Sequence, residues 1–279
     1  MNSLIAELLL LRKRAAVWTL LGFWCGMAIL FSYLLPYYAY TSDINFHGRG
    51  VGAVLLFLLL PQNLIMNILS SFPFFGGTMV LILGVLSMGS EFTWGTLTPV
   101  FTQRASRLKV FFSKMAALAI ALAPFVLAVF ILGLTASSLI AWREGQPIDL
   151  PSGLMFLKAL GAAWVILAVW AAFGVLLSVL SRGTSLAIGL GIIYGLVLEN
   201  IISAFGQQIE LLETISTGLL RTNCYSLIAW LGVSIQGEAG PGGFSGTLLS
   251  GSRSFITLFI YIILFVGISA VVVYRRDVA

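Results

Sequence analysis

The sequence predicts an all-α polytopic membrane protein with six transmembrane helices, an N-terminal interfacial helix, and re-entrant or interfacial helices on the outer side. Three observations predict it. Hydrophobic residues make up 59% of the chain and charged residues only 9%, where a soluble domain carries about a quarter charged. Mean hydropathy is +1.05, so there is too little polar surface to face water and lipid must cover the chain. Basic residues cluster between alternate apolar runs, as they do in cytoplasmic loops. At 279 residues the chain holds several spans of about 20 residues and modest loops, with no stretch long enough for a second, soluble domain.

At the N-terminus, Leu4, Ile5, Leu8, Leu9, Leu10 and Leu11 precede Arg12-Lys13-Arg14. A cleavable signal has a short apolar region followed by a small-residue cleavage site. Neither is visible, and residues 3–13 read as an amphipathic interfacial helix within an N-terminal segment 1–14. The first span covers about 16–38 and ends in a belt of Tyr33, Tyr37, Tyr38 and Tyr40, where aromatic rings favour the interface. The remaining spans are read at about 70–89, 113–141, 155–180, 184–205 and 254–274. Pro124 inside the third predicts a kink or tilt.

The segment 51–69 is apolar enough to span, but Pro61-Gln62-Asn63 and Asn67 interrupt it. Charge decides its reading. Arg12, Lys13 and Arg14 precede the first span, and Arg104, Arg107, Lys109 and Lys114 follow Glu91. Both clusters are expected in the cytoplasm, so the crossings between them must be even in number. Residues 51–69 are therefore read as a re-entrant or interfacial helix on the outside. The alternative is that they span and another segment does not. With six spans, ten of the fifteen basic residues fall inside, and both termini are cytoplasmic. Residues 206–252 form an extracytoplasmic loop with a Gly-rich stretch, Gly237–Gly251. Its two amphipathic pieces, Ile209–Leu220 and Tyr225–Val233, read either as dips into the outer leaflet or as an ordered cap.

Several chemistries find no support. No Gly-Lys dipeptide occurs, so no phosphate-binding loop can form and ATP cannot be hydrolysed by that mechanism. His47 is the only histidine, which argues against a His-based metal site or a Ser-His-Asp set. Cys25 and Cys224 are too isolated for a disulfide or metal framework. Paired carboxylates at catalytic spacing are missing; Glu210 and Glu213 read as a solvated surface. No metal or other cofactor is expected, and the net charge of +5 reads as membrane topology rather than affinity for nucleic acid. An intramembrane enzyme would lack a catalytic constellation.

Intramembrane ionisable residues usually mark ion or proton paths, and here they are scarce. Glu199 lies roughly 22 Å along the fifth span at 1.5 Å per residue, near the outer boundary. It reads either as an interface-level carboxylate bonded to Asn200 or water, or, with Asn200, as a contact on a substrate exit path. Such scarcity argues against an ion-coupled secondary transporter, which needs a midplane ion site.

The most informative segment is the cytoplasmic loop 90–112. Glu91 stands at the membrane exit, and Gly95-Thr96 offers a bend and a helix cap. A short amphipathic piece, Leu97–Phe101, follows. Arg104, Arg107 and Lys109 then lead to Lys114, which is expected to anchor the third span at anionic headgroups, as Arg12, Lys13 and Arg14 anchor the first. A short helix held between two spans is a lever suited to docking on a cytoplasmic partner; composition alone is equally compatible with an ordinary basic loop.

Glu91-x-x-x-Gly95-Thr96-Leu97, then Arg104-x-x-Arg107 and Lys114, resembles the corresponding loop of type-2 ABC transporter permeases, the membrane subunits of bacterial ABC exporters. The family pattern is roughly Glu-x-x-x-Gly-Thr-Leu, a few apolar residues, Pro-x-Ser-Arg, then a Lys opening the next span. Here Arg104 stands where the family often has Pro. The match covers about 25 residues in detail and the whole chain in layout. It implies a subunit in the bacterial plasma (inner) membrane that pairs with a second permease copy or a paralogue and with a dimer of cytoplasmic ABC ATPase subunits. ATP and Mg would be bound by those partners, not by this chain. It further implies that Glu91, Gly95, Thr96 and Leu97 begin a coupling helix that docks on the ATPase, with Arg104 and Arg107 beside it. The N-terminal helix resembles the family's connecting helix, and the inserts in the 206–252 loop resemble its outer re-entrant helices. A non-transporting membrane scaffold, or an immunity or sensor component, is the alternative compatible with the low intramembrane charge.

Overall fold

The computed structural model describes residues 2–42, 51–93, 107–206, 209–233 and 247–275. These are helices joined by turns, with no strand among the described residues. Six helices are long and apolar enough to cross a membrane: Ala15–Thr41, Pro61–Phe92, Arg107–Arg143, Gly153–Ser181, Ser185–Ile202 and Gly251–Arg275. The all-α, six-span membrane architecture expected from composition is the architecture found.

Helix α1 (Asn2–Lys13) ends at Arg14, whose extended backbone (φ −73°, ψ 119°) turns the chain into α2 (Ala15–Thr41). A π turn, Leu30–Leu34, interrupts α2. Helix α3 (Val51–Leu59) has 9 residues, about 13 Å, against a hydrocarbon core of about 30 Å. It folds back along the end of α2, where Gly52 faces Tyr40. Leu60 is extended, and Pro61 opens a short 3-10 turn, the position where a helix tolerates proline's missing N–H. The chain then forms α4 (Leu64–Leu69), a π turn at Phe72–Gly76, and α5 (Gly77–Thr93). The apolar segment 51–69 is thus two elements. Its second half belongs to the second span, which begins near Pro61 and not at residue 70.

Helix α6 (Arg107–Arg143) runs 37 residues with Pro124 inside it, about 55 Å at 1.5 Å per residue. That exceeds the hydrocarbon thickness, so α6 tilts or extends past the bilayer. It begins six residues earlier than the span read from hydropathy. Helix α7 (Gly153–Ser181) starts at Ser152, whose hydroxyl accepts the Met155 N–H at 3.4 Å. The fifth span comprises α8 (Ser185–Ile192), a π turn Ile193–Leu198, and the first residues of α9 (Glu199–Gly206). Two short helices follow, α10 (Glu210–Ser216) and α11 (Leu220–Trp230), and then α12 (Gly251–Arg275).

α7 is the centre of the bundle and packs against α5, α6, α8, α11 and α12. It is apolar all round, the pattern of a helix with neighbours on every side, and 67% of its apolar window is buried, against 22% for α12. Backbones approach most closely between α5 and α7. A Cβ on Gly174 would lie 2.2 Å from the Leu81 carbonyl oxygen, and one on Gly84 would lie 2.2 Å from that of Ala171. Without a strong hydrophobic force between helices in lipid, such small-residue contacts supply the packing. α2, the fifth span and α12 stand at the periphery and expose Trp18, Phe23, Ile193, Phe259 and Ile263 among others.

Candidate functional site

The charged side chains buried in this apolar bundle, Lys114, Glu199 and Arg221, lie toward its two ends. At one end stand α1, the starts of α2 and α6, and the end of α5; this is the basic end. Here Lys114, 4% exposed, donates to Glu7 of α1 at 2.7 Å and to Glu91 of α5 at 2.6 Å. One ammonium therefore ties three elements together. A Lys among apolar residues needs such partners, since an unpaired buried charge is strongly unfavourable. Beside it, the Arg14 guanidinium donates to the Leu86 carbonyl and the Ser90 hydroxyl, each at 2.7 Å.

These contacts correct two expectations. Lys114 does not anchor α6 at headgroups; it is enclosed by protein and neutralised by two carboxylates. Arg14 likewise spends hydrogen bonds on the end of α5. Arg12 and Lys13 are exposed on the last turn of α1, as a headgroup anchor requires. Glu91 is half-buried and still inside helix α5, and Arg107 opens α6. Gly95, Thr96, Leu97 and Arg104 lie outside the described residues. The sequence reading missed Glu7. Its only signal was an acidic residue on an otherwise apolar and basic helix.

At the far end, Glu199 is fully buried. Its two carboxylate oxygens accept the backbone N–H of Arg221 at 3.3 and 3.2 Å, and the Tyr194 side chain lies beside it. Arg221 is the second residue of α11, so the carboxylate of one helix caps the positive end of another. The Arg221 guanidinium donates to the Asn200 side-chain oxygen and lies 6.0 Å from the centre of the Tyr225 ring. The Asn223 amide donates to the carbonyls of Thr217 at 2.9 Å and Leu219 at 2.8 Å, fastening the turn before α11. Glu199 thus meets the start of α11, and Asn200 bonds to the Arg221 side chain and not to the Glu199 carboxylate. α11 is buried from Leu220 to Ile228, so this part of the loop packs against the bundle as an ordered internal element.

A third cluster also lies at the far end. Tyr37 and Tyr40 donate to Glu144, just past α6, at 2.7 and 3.0 Å, while Tyr38 remains 62% exposed. Part of the aromatic belt is therefore a helix-to-helix contact. Among the described residues, no group of three or more His, Cys, Asp or Glu is placed to hold a metal ion.

Six helices of spanning length, tied by ion pairs at one end and by hydrogen bonds at the other, define a polytopic helical membrane protein. Residues 27–279 match the family described as Protein of unknown function (DUF2705), and the chain belongs to that family. No curated protein matches the chain.

Proposed function

We propose that this chain is the membrane-spanning permease subunit of an ATP-binding-cassette exporter. It would form half of a translocation path, completed by a second copy or a paralogue, and would take its energy from separate cytoplasmic ATPase subunits. The basic end is then cytoplasmic, in the plasma membrane of a bacterium, with ATP and Mg held by the ATPase.

The observation that carries this reading is the pairing of Lys114 with Glu7 and Glu91, next to the Glu91-x-x-x-Gly95-Thr96-Leu97 motif. A partner pressing on the loop between the second and third spans acts directly on Glu91 and Lys114. Through Lys114 the displacement reaches α1 and the foot of α6 together. A 37-residue helix carries that displacement to the far end as a rigid rod.

Co-expression with a candidate ABC ATPase and purification of the tagged full chain in detergent test the reading. An ABC ATPase should co-elute, with hydrolysis stimulated by the permease, and Thr96→Pro should abolish the stimulation while the chain still elutes as a folded species. Elution without any ABC ATPase favours the membrane scaffold, immunity or sensor role. Wild-type stimulation in the Thr96→Pro variant removes Thr96 from the coupling element.

A further inference from the structure

A cleft of about 290 Å³ opens between α1, α2 and α6 at the basic end. Leu8 of α1, Trp18 and Leu21 of α2, and Ile120 and Pro124 of α6 form its walls, and Arg12 is the one charged residue lining it. The cleft therefore has a greasy interior and a cationic edge. Arg12 and Lys13 are both exposed, and neither forms an ion pair among the described residues.

The depth of the site follows from α1. Ile5, Leu9 and Leu10 on α1 are 51%, 49% and 54% exposed, the apolar face of a helix lying in the interface with its last turn at headgroup level. Trp18 is 56% exposed, and its ring nitrogen donates to the Arg12 carbonyl at 2.8 Å. It stands between the charged rim and the apolar interior, as interfacial indoles do.

We propose that this cleft binds one anionic phospholipid, with an acyl chain between Trp18 and Pro124 and the headgroup phosphate at Arg12 and Lys13. The apolar walls call for a hydrocarbon chain, which a soluble anion lacks. The two exposed cations, which form no ion pair among the described residues, call for net negative charge, which an uncharged apolar molecule lacks. A single lipid supplies both.

Quenching of Trp18 fluorescence by brominated acyl chains tests the site. The full chain is placed in phosphatidylcholine nanodiscs containing a minor fraction of brominated-chain phosphatidylglycerol or brominated-chain phosphatidylcholine. Subtracting the Trp18→Phe signal isolates Trp18. The glycerol lipid should reach half-quenching at between about one-fifth and about one-thirtieth the mole fraction of the choline lipid, the preference expected from one or two basic residues at an anionic headgroup. Arg12→Gln with Lys13→Gln should abolish that preference and leave quenching in place, and Ala121→Phe, which puts a ring into the cleft from the α6 wall, should weaken quenching by both lipids. Lipid extracted from purified protein should be enriched in phosphatidylglycerol for the wild type and not for the double variant, a readout independent of Trp18. Equal quenching by both lipids would mean ordinary annular lipid. That result, the absence of Trp18 quenching, or a preference surviving the double variant overturns the proposal.

Discussion

Gly174 and Lys114 show how single residues hold this bundle in two different ways. Gly174 admits the α5 backbone. Adding one methyl there places carbon 2.2 Å from a main-chain oxygen, which cannot swing aside as a side chain could. Gly174→Ala should destabilise the protein by about 3 kcal/mol, the upper range for overpacking. Gly161, on the same helix with nothing within 4 Å of its Cβ position, is the control; Gly161→Ala should be neutral or stabilising by up to about 1 kcal/mol. Thermal unfolding in detergent with size-exclusion readout separates the two, and equal behaviour would refute the close-approach account. Lys114 acts through charge. Lys114→Met leaves Glu7 and Glu91 facing each other without a cation and should cost about 3 kcal/mol. Combining it with Glu7→Gln and Glu91→Gln should restore most of that loss. A triple variant as unstable as the single one would show that packing of the Lys stem, not ion pairing, is what matters.

At the scale of elements, the far-end helices depend on one carboxylate. Glu199 caps α11 and Asn200 holds its arginine, so the fifth span and the helix before the sixth span are fastened together. Glu199→Ala should release α11 by about 2 kcal/mol, roughly thirtyfold faster amide exchange over 220–230. Glu199→Gln keeps an acceptor oxygen and should show a smaller effect. Unchanged exchange in Glu199→Ala would sink the latch. The element boundaries also show what hydropathy could and could not reveal. Pro61-Gln62-Asn63 marked the break in 51–69. What lay beyond that break was hidden, because an apolar stretch after a proline reads the same whether it dips or continues into a span. Among the described residues three π turns occur, at Leu30–Leu34, Phe72–Gly76 and Ile193–Leu198; Pro36 and Pro73 accompany the first two, and apolar periodicity marks none of them.

For the whole molecule, the six-span bundle was legible because apolar length and basic asymmetry are properties of composition. The clusters were not, because each joins residues far apart in the chain. Lys114 and Glu7 are separated by 107 positions, and a lysine opening an apolar run looks the same whether it meets a headgroup or a carboxylate. Glu199 stood out by its depth, but Arg221 looked like one more loop cation until α11 folded inward. The even number of crossings predicts that both described ends lie on one side. Single cysteines at Ser3 and Tyr274, in a Cys25→Ser background, should resist a membrane-impermeant maleimide in intact cells, whereas one at Gly145 should react. Burial pushes the Cys224 thiol well above its usual range, so it remains protonated at neutral pH and adds little background. Labelling at only one of Ser3 and Tyr274 would require an odd number of crossings.

The π turn at Ile193–Leu198 has a consequence for the azimuth of everything after it. Each residue of an α-helix advances the chain by about 100° around the axis. In an α-helix, positions five apart, such as 194 and 199, point away from one another by about 140°. The wider turn draws them toward one side, and the Tyr194 side chain lies beside Glu199. A regular helix through the same residues would turn the carboxylate off the α11 terminus. The extra residue in that turn therefore works as a rotational offset. It decides whether the acid of the fifth span meets the start of α11.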